Sequence, residues 1–291
     1  MKLVTFNTKE GLGNLGALRQ NLIVPLDLFL SNMGLACLEM TGLLKAFENN
    51  PDLKGELLQY IKNATIAIPI DEVEIDAPLR RPGKIVALGR NYADHAKETG
   101  VQPFEKPRII SKFPSSITGP NTTIHAPASV KKLDFEIELA VVIGKTAKNI
   151  SKEKATDYIA GYTILNDISA REFQFDISPP QTTFAKSMDG FCPLGPYLLT
   201  ADEIENPQNL ELNLWLNGAL MQHGNTKDML FPIPDQIEYI SSFTTLEPGD
   251  IIATGTPAGI GAFRNPPVWL KSGDELKLSI THLGTLINQI A

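Results

Sequence analysis

Cysteine is scarce: Cys37 and Cys192 are the only two in 291 residues. They are too few for a disulfide scaffold and lack metal-ligand spacing, so both are expected as buried thiols in a reducing compartment. No apolar run approaches the roughly 18–20 residues that cross a bilayer; the densest stretches, such as Leu139–Ile143, are far shorter. Met1-Lys-Leu-Val-Thr-Phe reads as a strand and not as a signal or transit peptide. A soluble, cytoplasmic protein with no membrane partner is the expectation. Positive charge is also in short supply, with 26 Lys and Arg against 33 Asp and Glu and a formal charge of −7. Without a basic cluster either, nucleic acid is not an expected partner. Two motifs are missing, HExxH and the nucleophile elbow GxSxG, and the glycine-rich stretch Gly255–Gly261 lacks the Gly-Lys-Ser/Thr of a nucleotide loop. A zincin helix and acyl-enzyme chemistry therefore have no motif here. Gly11-Leu-Gly-Asn-Leu-Gly16 fits the dinucleotide glycine pattern, but no second βαβ unit follows and Pro25 interrupts the helix that should face a pyrophosphate.

What is present is ordinary globular material: 43% hydrophobic residues, 20% charged, 22 Gly and 21 Pro, enough for a substantial core. Residues 1–80 read as a small N-terminal α/β domain, with a strand at Leu3–Phe6, helical spacing over Leu26–Phe47 and Leu53–Ile61, and an extended stretch at Val73–Ala77. Arg80-Arg-Pro-Gly83 reads as a linker. Residues 81–291 are richer in short alternating segments, including Leu212–Leu216 before the hairpin dipeptide Asn217-Gly218, and Leu276–Ile280. Helical patterns there are few: a segment capped by Ser151, Asp235–Phe243, and Tyr92–Glu98. The class predicted is α+β, mainly β.

The most informative stretch is Leu133-Asp-Phe-Glu-Ile-Glu-Leu-Ala-Val-Val-Ile143. Period two on a strand puts Asp134, Glu136 and Glu138 on one face, about 7 Å apart, with no interleaved cation. Such a row is either a solvated face or a site for a hard divalent cation, typically Mg²⁺, which takes carboxylate oxygens and leaves positions open for substrate. Asp167, in Asn166-Asp-Ile-Ser-Ala-Arg171, ends an apolar strand and offers a third oxygen donor, although Asn-Asp there also suits a plain turn. His95 and Glu98 stand at i and i+3 on a helical turn, where a carboxylate can orient an imidazole for proton removal or simply form a surface pair. Lys186, between apolar residues and turn formers, could hold an ammonium in a pocket or lie on the surface. Thr256 and the backbone of Gly255–Gly261 offer donors to an anion or form a structural turn.

Six ordered motifs join these residues: Gly89–Glu98, Ser111–Pro120, Asp134–Gly144, Asn166–Gln174, Ala185–Pro196 and Thr254–Gly261. Together they resemble the fumarylacetoacetate hydrolase (FAH) family over roughly residues 82–291, and the preceding segment resembles its two-domain branch. The resemblance implies an FAH-type mixed β-sandwich or β-roll catalytic domain, dimeric as a rule. It implies Mg²⁺ or Mn²⁺ on the positions of Glu136, Glu138 and Asp167, a water-activating dyad at His95 and Glu98 on a lid, and a polarising lysine at Lys186. Arg90, Tyr92, Arg171, Gln174 and Thr256 fall on substrate-lining positions; Asp134 matches no ligand. The implied activity is divalent-metal-dependent hydrolysis of a C–C bond in acylpyruvate-type oxo acids, with oxaloacetate decarboxylation or keto–enol tautomerisation as alternatives and a non-catalytic binding protein as the contrasting class.

Overall fold

The computed structural model describes residues 1–291 apart from 10, 36–38, 99, 101 and 103, so the expectation for Cys37 lies outside the described residues. Its centre is the antiparallel pair Ile137–Ile143 and Ile159–Asn166, in register from Ile137 opposite Asn166 to Ile143 opposite Ile159. Alternation divides the first of these strands between two cores. Leu139, Val141 and Ile143 enter one cluster, while Ala140 and Val142 enter the other. A strand with both faces covered has no reason to alternate polar and apolar residues, hence the unbroken apolar run.

The large sheet extends both ways from this pair. One direction runs through Cys192–Thr200, Lys2–Asn7, Asn14–Arg19 and Leu22–Pro25, and the other through Ile251–Ala253, Ile85–Gly89 and Arg108–Lys112. A second, five-stranded sheet contains Glu211–Leu216, Ala219–Asn225, Glu275–Ile280 and Gly284–Ile290. Leu212, Leu214, Leu276 and Leu278 from that sheet pack with Phe135, Ile137 and Leu139 in the first cluster. Sheet on sheet is thus the core of residues 81–291, and the mainly β, α+β class holds. Asn217 and Gly218 form the two-residue hairpin turn between Leu216 and Ala219, both with positive φ (50° and 80°), as a type I′ turn demands.

The N-terminal residues cover the opposite face. The helical spacing over Leu26–Phe47 resolves into Asp27–Asn32 and Met40–Asn49, and a further helix spans Asp52–Asn63. Leu43 and Leu44 of one, and Leu53, Leu57 and Ile61 of another, bury the stripe that i, i+4 spacing produces. They pack with Ala140, Val142, Leu165 and Leu198 in the second cluster. Each fully buried leucine of this kind contributes roughly 1.5–3 kcal/mol. Lys2 and Leu3 pair with Leu199 and Leu198, so the sheet is continuous across the turn at Arg80–Gly83. The glycine-rich Gly11–Gly16 segment belongs to an antiparallel hairpin, Lys2–Asn7 with Asn14–Arg19, and to no βαβ unit. Among the described residues, no helix is long and apolar enough to cross a membrane.

Candidate active site

The predicted acidic strand breaks where the chemistry concentrates. Leu133–Asp134 pairs with Ser169–Ala170, and the ladder resumes only at Ile137. In between, side chains replace strand partners: Asn166 Oδ1 accepts from the Glu136 amide (3.1 Å), and Gln222 Oε1 accepts from the Ile137 amide (3.0 Å). The Asp167 amide donates to the Glu136 carbonyl at 2.8 Å, which ties the end of one strand to the gap in the other. Glu136, Glu138 and Asp167, all buried, are thereby brought together, with one ligand oxygen from each lying within 4.8 Å of the others.

Three buried cations enclose them. Lys186 Nζ donates to Glu136 Oε2 (3.0 Å), Asp167 Oδ2 (2.5 Å) and Ser169 Oγ (2.9 Å). Arg171 donates through Nε to Asp134 Oδ2 (2.8 Å), through Nη2 to Glu136 Oε1 (2.6 Å) and through Nη1 to Gln174 Oε1 (2.8 Å). Lys112 Nζ reaches Asp167 Oδ1 (2.7 Å), the Phe191 carbonyl (3.0 Å) and the Lys186 carbonyl. Asp134 also caps the amides of Gly261 (2.7 Å) and Ala262 (3.0 Å), so it anchors Arg171 and a loop and does not join the acidic trio.

The charges respond to these neighbours. Burial drives the Glu136 carboxyl up, but Lys186 and Arg171 outweigh it and hold the group well below the ordinary glutamate range. Burial opposes the Lys186 charge, and Asp167 with Glu136 more than restores it. Glu138 has no such relief: burial, then the Asp167 and Glu136 carboxylates, push it well above its ordinary value. Among the described residues its one hydrogen bond comes from the Gly255 amide, at 2.8 Å. A carboxyl so placed is where a hard cation relieves most strain. The donor set suits one divalent ion, because two oxygens about 2.0–2.6 Å from a shared ion stand at most about 4–5 Å apart, and these three lie within 4.8 Å of one another. The oxygens of Glu136 and Asp167 that accept from Lys112, Arg171 and Lys186 each keep a second lone pair.

A cavity of about 250 Å³ opens over the trio. Arg90, His95, Arg171, Gln174, Lys186 and Thr256 line it with the acids. Its mouth carries the exposed rings of Phe175 and Phe263, centroids 6.0 Å apart. His95, on the short helix Ala93–Glu98, places Nδ1 3.4 Å from Glu98 Oε2, and the Gly259 amide donates to that same oxygen at 3.0 Å. The predicted pair therefore forms and is docked on the loop that follows Ile251–Ala253. Two predicted residues sit differently from the rest. Tyr92 does not line the cavity; it is fully buried, and among the described residues its hydroxyl has no hydrogen-bond partner. Thr256 lines it, but its hydroxyl donates to the Ile137 carbonyl and accepts from Gln222 Nε2, both at 2.8 Å. Cys192 is a free, buried thiol, as expected, pushed up to about 12 by burial.

Sequence reasoning missed Lys112 and Arg108. Both lie on the strand Arg108–Lys112 at alternate positions with Ile110, which with Arg108 lines the cavity. A basic residue at each end of the otherwise uncharged Arg-Ile-Ile-Ser-Lys strand was the available signal.

A buried carboxylate trio able to hold a divalent ion, with a histidine–glutamate pair at the same cavity over a mixed sheet, is the arrangement to compare with known folds. Residues 84–291 match the family described as Fumarylacetoacetate (FAA) hydrolase C-terminal, and the chain belongs to that family of enzymes. Among curated relatives it is 46% identical to the human oxaloacetate tautomerase FAHD2A, mitochondrial, over 261 residues, which cover 85% of this chain and 82% of the relative. Among solved structures it resembles a fumarylacetoacetate hydrolase from Exiguobacterium antarcticum, with TM-score 0.84, 33% identity, and 100% and 99% of the two chains covered. It also resembles maleylpyruvate hydrolase from Sphingobium sp. SYK-6 in complex with manganese(II) ion and pyruvate, with TM-score 0.82, 30% identity, and 100% and 99% coverage.

The expected cytoplasmic address is overturned by these relatives. The human protein is named as mitochondrial, as are similar bovine and rat proteins. A low cysteine count carries no information on which compartment houses the chain.

Proposed function

We propose that this protein is a divalent-cation-dependent enzyme that converts small 2-oxo acids through their enol form, with keto–enol interconversion of an oxaloacetate-like diacid as the activity its site supports best. One observation carries the reading: the Glu136, Glu138 and Asp167 oxygens converge in the cavity that His95 and Lys186 also line. These three carboxylates would hold Mg²⁺ or Mn²⁺, the donor chemistry suiting either. Once bound, such an ion supplies Lewis acidity toward the oxo and carboxylate oxygens of the substrate.

The chain's own groups provide the proton transfers. His95, oriented by Glu98, removes a proton from the carbon beside the oxo group and returns it on the reverse path. Lys186, held charged by Glu136 and Asp167, donates to the oxygen on which negative charge develops. Arg171 fixes Glu136 while Gln174 steadies Arg171, and Arg90 lines the same cavity. Thr256 shapes the floor through its bond to Ile137, and Tyr92 supports the helix of His95, the Ala96 amide donating to its carbonyl at 2.9 Å.

Relatives named oxaloacetate tautomerases support proton transfer as the central step. Hydrolysis of an acylpyruvate C–C bond is a second reading, favoured by the His95–Glu98 pair and by likeness to maleylpyruvate hydrolase. There the same histidine would deprotonate a water that attacks the distal carbonyl. A homodimer is carried over from the family resemblance, and analytical ultracentrifugation tests it. The reading of activity is tested with protein stripped of cations and resupplied with Mg²⁺ or Mn²⁺. Enol loss from oxaloacetate is followed in the ultraviolet, in parallel with acylpyruvate cleavage. Cation-dependent acceleration of the first is expected. No acceleration of either, with or without the ion, contradicts the proposal.

A further inference from the structure

Away from the acidic trio, the cavity wall includes Ala87–Arg90 and, from the neighbouring strand, Arg108 and Ile110; Lys112 of that strand touches Asp167, and Arg108 stands four extended residues, about 13 Å, further along it. Gly89 and Arg108 are cross-strand partners, so Arg90 and Arg108 stand side by side at the end of the sheet. Among the described residues the carboxylates that line the cavity are Glu136, Glu138 and Asp167, and neither arginine has an ion-pair or side-chain hydrogen-bond partner. Arg90 stacks its guanidinium over the Phe104 ring, 5.6 Å from the centroid.

The backbone invests in this placement. Arg90 has φ of +59°, a conformation that non-glycine residues adopt at a penalty and retain only where the surroundings over-determine it. Asn91 supplies that constraint: Nδ2 donates to the carbonyls of Thr254 (2.8 Å) and Phe231 (3.1 Å), and Oδ1 accepts from the Phe231 amide (2.8 Å). Burial and the charge of Arg108 both act against the Arg90 guanidinium. Two unneutralised guanidiniums facing one cavity are a standing repulsion that an anion removes.

We infer that Arg90 and Arg108 bind a second carboxylate at the far end of the substrate, making the protein selective for dicarboxylic 2-oxo acids. This rests on the reading that the oxo-acid head lies at Glu136, Glu138 and Asp167. Planar guanidiniums match a carboxylate with paired, charge-assisted hydrogen bonds. Losing one such contact weakens binding about tenfold to a hundredfold.

The test uses ligands matched in length that differ by a carboxylate in place of a methyl. Binding of 2-oxoglutarate and of 2-oxopentanoate to Mn²⁺-loaded protein is measured by calorimetry at low salt, and kcat/KM is compared for fumarylpyruvate and crotonylpyruvate. The wild type is expected to favour the diacid at least tenfold in one pair. Arg108→Gln and Arg90→Gln should each shrink that ratio about tenfold, and Arg108→Lys should restore part of it. A wild-type ratio near one in both pairs, or a ratio unmoved by both glutamine variants, overturns the assignment. Failure of the wild type to turn over any oxo acid sinks the underlying reading of activity instead, and the binding ratio still decides the arginines. Binding of neither ligand overturns both.

Discussion

At the acidic end of the cavity Glu136 and Asp167, with Asp134 behind them, interlock with Lys112, Arg171 and Lys186, all buried, whereas Arg90 and Arg108, further along the cavity wall, have no acidic side chain against them among the described residues. The first end is settled during folding, since buried charges persist only when paired and hydrogen-bonded. The second is half-open to water, which tolerates an unpaired guanidinium until an anion arrives. The contrast separates what the fold must satisfy for itself from what it leaves for a ligand. Glu138 is the exception that links them, because it lies among the paired acids yet receives only the Gly255 amide.

Breaking the acidic end should have the largest effect. Glu138→Ala is expected to remove cation-dependent turnover, a loss beyond the 10–100-fold typical of changes outside a ligand set; turnover at the wild-type level would refute its role. His95→Ala should lower turnover about 10²–10⁴-fold. Its effect on acylpyruvate hydrolysis should exceed that on oxaloacetate decarboxylation, which needs no attacking water. Equal losses would show that the dyad does not serve water in particular. Lys112→Met leaves Asp167 with one cation fewer in a dry site and should destabilise the fold by about 3–5 kcal/mol. A urea midpoint equal to the wild type would mean that Lys112 is not a structural partner.

The smallest expected effect sharpens the contrast between Glu136 and Glu138. Glu136 is held below its ordinary value, so its contribution to stability is present above that value and lost as pH falls through the folded one. Glu138 is raised, so between its ordinary and folded values the native state binds more protons than the unfolded chain, and stability falls as pH rises. Thermal melts of cation-free protein should show that decline, and added Mg²⁺ should abolish it. The same slope with and without Mg²⁺ would separate Glu138 from the cation.

Much of this was legible in the chain. Period two at Asp134, Glu136 and Glu138, and the abrupt polar end of the strand at Asn166-Asp167, marked the site, because both are local patterns. The buried double-sided strand was equally clear from Leu139–Ile143. What stayed hidden depends on contacts distant in sequence. Which face of Arg108–Lys112 meets the cavity follows from its pairing with Ile85–Gly89, and the joining of Lys2 and Leu3 to Leu199 and Leu198 spans nearly 200 residues. The break at Phe135-Glu136 was invisible for the same reason, since Asn166 and Gln222 substitute for the missing ladder. Tyr92 illustrates the converse, a residue placed beside the site by its motif but buried beneath it.

The central claim, that three carboxylates share one divalent ion, is tested most directly by titrating Mn²⁺ into chelator-treated protein and reading bound metal by electron paramagnetic resonance. One site per chain is expected in the wild type, lost in Glu136→Gln, Glu138→Gln and Asp167→Asn variants that remain folded by circular dichroism. Wild-type stoichiometry and affinity in all three variants would contradict it.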